Sequence, residues 1–157
     1  MSTSKTNSTG EPDRKRPRSE LDAELYVNHP SLYFDDGNVI LQCAKTLFCV
    51  HRTLLAKHSP RFAEILNPAR GANTLRGCRH LVLDDDADDM EALLKTIYDG
   101  LRVDFPQLTI ENFPIVAGIL RLSTKYRLER LRADMIARLK QEWPYALEQH
   151  IAKWRTD

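Results

Sequence analysis

The sequence predicts an α+β fold, a small mixed sheet of about three strands capped by five to six helices. Two observations carry that expectation. Stretches patterned with period two come early, between residues 38 and 83. Stretches with apolar residues three to four apart dominate from residue 84 onward.

The elements follow in order. Residues 1–28 read as a polar, basic tail, rich in Ser, Thr, Lys, Arg and Pro. Ordered structure is expected near Ser31, and Asp36-Gly37 reads as a turn. From Asn38 to Cys43 the chain alternates, with Val39, Leu41 and Cys43 on one side and Ile40 and Gln42 on the other. Thr46 to His51 is again β-branched and aromatic, so the two segments form a hairpin. Ala44-Lys45 is a poor primed turn, and a connection longer than two residues is expected. Arg52 to His58 and Arg61 to Leu66 read as short helices, parted at Ser59-Pro60. Asn67 to Arg76 reads as a loop, and Arg79 to Leu83 as a strand.

Three longer helices complete the domain. The first opens at the acidic run Asp84 to Asp89, carries Met90, Leu93, Leu94 and Ile97 at helical spacing, and stops at Gly100. The second spans Glu111 to Lys125, with Pro114 in its first turn and Val116, Ile119, Leu120 and Leu122 as its buried side. The third runs from Leu128 to Trp143 and ends at Pro144. The expected domain is 29–142, with a helical extension over 143–157.

Composition narrows the function. The 157 residues suffice for one domain with a tail, and 42% apolar with 29% charged residues is ordinary for a globular chain. A net charge of +1 does not match nucleic acid or an acidic membrane, so neither is an expected partner of the whole chain. The odd count of three cysteines (Cys43, Cys49, Cys78) argues against a disulfide framework and fits a reducing compartment. No apolar run has the length of a membrane span, and the N-terminus lacks the apolar core of a secretory signal. The expected address is intracellular, nuclear or cytoplasmic.

No catalytic arrangement is found: there is no G-x-S-x-G, phosphate loop, dinucleotide glycine pattern or H-E-x-x-H. The acidic run Asp84 to Asp89 lacks the periodicity and glycine of a calcium loop and reads as a helix cap. The spacings among Cys43, Cys49, His51, Cys78 and His80 are not those of structural zinc modules. No enzyme, cofactor, metal ion or small-molecule substrate is expected. Arg14, Lys15, Arg16 and Arg18 form a basic cluster that fits a nuclear-import signal. The later basic residues, from Arg121 to Lys140, are interleaved with Glu129 and Asp134 and read as a solvated face.

Three ordered motifs carry a resemblance. Phe48-Cys49-Val50-His51-Arg52 continues through Leu55 and Ser59 to Phe62. Met90 to Gly100 ends Leu94-Lys95-Thr96-Ile97-Tyr98-Asp99-Gly100. Leu122 to Leu131 contains Lys125-Tyr126-Arg127-Leu128. Together they resemble the signature of the BTB/POZ family over residues 31–140. Leu139 to Pro144 resembles the large fungal class of that family. The resemblance implies a protein-interaction module that pairs with itself, with other BTB chains or with adaptors. It also implies that Phe48, Val50, His51, Leu55, Ser59, Phe62, Tyr98, Gly100, Tyr126 and Leu131 are structural. His51 stands at a strand-to-helix corner, where its ring is expected to satisfy a backbone group.

Pro30, Leu32, Tyr33 and Phe34 are the candidate pairing face, being outside the expected core and too apolar for a free linker. In transcription-factor dimers that it resembles, an Asp and the Arg after the His form a charged pocket; Asn38 and Arg52 stand at those positions here. Cullin-binding members carry an apolar-x-Glu motif where this chain reads Arg70-Gly71-Ala72. Three alternatives remain: a nuclear regulator contacting nucleic acid through its basic segments, a cullin-type adaptor, and an enzyme with a site not visible in sequence.

Overall fold

The computed structural model describes residues 25–142, apart from 104 and 106. The basic cluster Arg14–Arg18 and the extension 143–157 lie outside the described residues. Ten elements follow one another: β1 (Val27–Tyr33), β2 (Val39–Cys43), β3 (Thr46–Val50), α1 (Arg52–His58), α2 (Pro60–Ile65), β4 (Asn73–Leu75), β5 (Cys78–Leu83), α3 (Ala87–Tyr98), α4 (Phe113–Lys125) and α5 (Glu129–Glu142). The fold is α+β as expected, but its sheet has five strands, in the order β1-β3-β2-β5-β4, rather than about three.

Both added strands lie at the sheet's edges. β1 begins at Val27, four residues ahead of Ser31, and runs parallel to β3 with a register shift between Asn28 and Tyr33. Pro30 in its middle has no N–H to give, which masks the strand in sequence and suits an edge. β4 lies within the stretch read as a loop and pairs antiparallel with β5. Arg76 and Gly77, with φ of 52° and 79°, turn that hairpin; both are left-handed, as a two-residue primed turn needs. The β2–β3 connection is also only two residues long, because Cys43 pairs directly with Thr46. Ala44 adopts φ 52° to make it, so the expected longer loop is not needed.

The alternation in β2 works as read. Val39, Leu41 and Cys43 join Phe48 and Val50 in the main core beneath the helices. Ile40, Leu47 and Cys49 form a smaller cluster on the opposite face, covered by Tyr26, Tyr33, Leu75 and Cys78. The helices α3, α4 and α5 stack in sequence on one another. Asp86 caps α3, its carboxylate accepting from the N–H groups of Asp88 and Asp89 at 2.9 and 3.1 Å.

Candidate functional site

The candidate residues fall into separate places. Phe34, Asn38, His51, Arg52 and Tyr98 gather at one corner, where the β1–β2 turn meets the start of α1. Phe34 stacks on Tyr98 with ring centroids 4.9 Å apart, and the His51 ring lies 5.4 Å from that of Phe34. The Tyr98 hydroxyl accepts the backbone N–H of His51 at 3.0 Å and lies 2.7 Å from its Nδ1. Burial pushes the Tyr98 hydroxyl above its ordinary pKa, so it is protonated at neutral pH and can donate to Nδ1. In the neutral ring the proton then sits on Nε2, which faces the Asp36 carboxylate at 3.1 Å. The ring thus bonds two side chains, not the backbone group expected for it.

Asn38 meets Arg52 through the backbone. Its Oδ1 accepts the Arg52 backbone N–H at 2.7 Å. His51, the residue ahead of α1, offers no capping bond of its own, so Asn38 caps the helix from fourteen positions upstream. Gly37 lets the turn lie flat against β3: a Cβ there would stand 2.7 Å from the Cys49 sulfur and 2.9 Å from its carbonyl carbon.

The pairing-face residues divide. Leu32 is only 4% exposed and belongs to the main core, because the unforeseen strand β1 turns it inward. Phe34 is half-buried against that core. Tyr33 packs on the opposite sheet face, where Arg76 bonds its hydroxyl at 2.9 Å and the Asn28 side chain at 2.7 Å. Pro30 is exposed. Leu25, just ahead of β1, and Val27, its first residue, read in sequence only as the apolar end of the tail that could pack; they are 56% and 65% exposed.

The family-signature residues form the frame. Phe48, Val50, Leu55, Ser59, Phe62, Tyr126 and Leu131 are all buried. Ser59 Oγ accepts the Phe62 N–H at 3.0 Å, capping α2, and donates to the Tyr126 carbonyl at the end of α4. Phe62 and Tyr126 stack nearly parallel, 4.2 Å apart. Gly100 follows α3 with φ 74°. The acidic run is divided in its work. Asp86 caps, whereas Asp84 and Asp85 hold Lys125 at 2.7 and 2.6 Å and Asp85 also accepts from the Tyr126 hydroxyl.

Several late basic residues are engaged within the domain. Arg121 pairs with Asp89, Lys125 with Asp84 and Asp85, and Arg138 donates to the carbonyls of Val103 and Phe105. The buried cysteines are poor nucleophiles: burial, above all, raises the Cys49 thiol to about 11 and Cys43 to about 12.

No curated protein sequence matches the chain. Among solved structures, the BTB domain of zebrafish PATZ1 superposes with a TM-score of 0.50 at 16% identity, over 86% of this chain and 99% of that one. The BTB domain of human Gigaxonin gives a TM-score of 0.45 at 14% identity, over 86% and 98%. The family model of the BTB/POZ domain matches residues 33–142. That span runs from the last residue of β1 through α5, and with it the corner at His51 and the Ser59–Tyr126 frame, so the chain belongs to the BTB/POZ family.

Proposed function

We propose that this chain works by pairing, with a second copy of itself or with another BTB chain, through the margin of β1. The observation that carries the reading is the apolar surface exposed there. Leu25, just ahead of an edge strand, and Val27, its first residue, present it, with Pro30 also exposed further along the same strand. Two copies that bury such a margin against each other remove it from water at roughly 25 cal/mol per Å². Leu32 leaves the proposed face, and Leu25 and Val27 join it. Asn38 and Arg52 stay as candidates at the adjoining corner. An adaptor or transcription-associated scaffold is the finer form of this reading, in a nuclear or cytoplasmic setting. Among the described residues no helix is long and apolar enough to cross a membrane.

Light scattering on the full chain over a range of concentrations tests the proposal. A dimer mass is expected, with Leu25→Asp plus Val27→Asp giving a folded monomer. An unchanged dimer in that variant would move the seam elsewhere. A monomeric parent chain would leave only a different protein as its mate.

A further inference from the structure

A groove of about 490 Å³ runs between the first half of α3 and the start of α4. Ala92, Pro114 and Ile115 give it an apolar wall, and Asp86, Asp88, Asp89 and Glu91 an acidic one, of which Asp89 is already paired with Arg121. Among the described residues Lys95 is the only cation lining it, and that ammonium is bound to Glu91. The carboxylate of Asp88 has no ion-pair partner among the described residues, and Ile115 is 41% exposed.

We propose that the chain's own segment Arg14-Lys15-Arg16-Pro17-Arg18 docks in this groove. Charge complementarity is the first argument. Four cations within five residues meet a wall of carboxylates with one lysine of its own, already paired. Position is the second. His29 of β1 reaches across to Glu91, Nε2 to Oε2 at 3.3 Å, so the chain comes into the described domain beside the groove's acidic wall. Leu25 lies four residues before His29, and Arg18 seven before Leu25. A seven-residue step spans up to about 25 Å when extended, which brings the basic segment within reach of Asp88. The tether is the third. A short linker holds its ligand at an effective concentration on the order of millimolar, enough to populate a weak docked state. Docking would cover Arg14 to Arg18 and withdraw that cluster from any other reader, an import receptor included. The inference does not depend on the pairing reading.

Limited trypsin digestion of the full chain, followed by mass spectrometry, tests it. Trypsin cuts after Arg14, Lys15 and Arg18, while Pro17 protects the bond after Arg16. Lys5 lies outside the docked segment and serves as the reference bond in the same molecule. In low salt, the cuts after Arg14, Lys15 and Arg18 are expected to speed up about fivefold relative to Lys5 in Asp88→Arg plus Glu91→Arg. Raising the salt to roughly 0.5 M should give a similar acceleration in the unaltered chain, because exposed charge pairs are screened there. Circular dichroism confirms that the variant is folded, and the salt arm stands if it is not. Ratios to Lys5 that move with neither salt nor substitution would overturn the proposal. Protection that fades on dilution would overturn it too, by assigning the groove to the tail of another copy.

Discussion

Tyr98 shows how a single side chain settles the corner. Its hydroxyl takes the His51 N–H, faces the imidazole Nδ1, and so sets which ring nitrogen points at Asp36. Removing it leaves a half-buried N–H without that acceptor. Tyr98→Phe is expected to cost about 1–3 kcal/mol, read as a lower urea midpoint with an unchanged slope. Leu32 is the opposite case, a residue whose apolar character was legible and whose direction was not. Its facing depends on β1, and Pro30 together with the shifted register erases the alternation that would have announced that strand. Leu32→Asp should therefore unfold the chain, seen as loss of the cooperative thermal transition, where Leu25→Asp plus Val27→Asp leaves it folded.

At the scale of elements, caps and pairings decide more than propensity does. Ser59 serves two helices at once, capping α2 and holding the carbonyl at the end of α4. Ser59→Ala should lower stability by about 1–3 kcal/mol in urea, more than an exposed cap alone would. Glu91 ties α3 to β1. Its hydrogen bond to Lys95 above all holds its carboxyl below the ordinary value; burial opposes this less strongly, and the bond to His29 adds a smaller lowering still. A depressed folded value means the contribution is complete above the unfolded pKa, about 4.3, and fades as the pH falls through the folded one. For so accessible a pair it amounts to a few tenths of a kcal/mol. Glu91→Gln should flatten the stability profile between about pH 5 and 3 by that amount, measured by thermal melts across the range. The helices α3, α4 and α5 were legible because their apolar residues recur at 3.6. The three-residue strand β4 was not, since Asn73-Thr74-Leu75 is too short to show a period. Contacts such as Asp85 with Tyr126, or Ser59 with the Tyr126 carbonyl, join residues 41 and 67 positions apart and leave no local trace.

At the scale of the whole molecule, one sheet separates two unequal cores, the larger under the helices and the smaller beneath Tyr26 and Tyr33. The motifs in Phe48–Phe62, Met90–Gly100 and Leu122–Leu131 were enough to anticipate the family, because they encode the frame and not the surface. The surface, where partners are chosen, follows from how β1 lies along β3. The sheet's two outer strands share a further property. β4 offers only three residues of open backbone, and β1 is broken by a proline and an irregular register. Neither is a clean template on which a stranger's strand could grow. In a crowded solution the chain is thereby steered away from open-ended β-aggregation, and Pro30→Val, which restores an N–H to that margin, should lower the concentration at which fibrils or precipitate form.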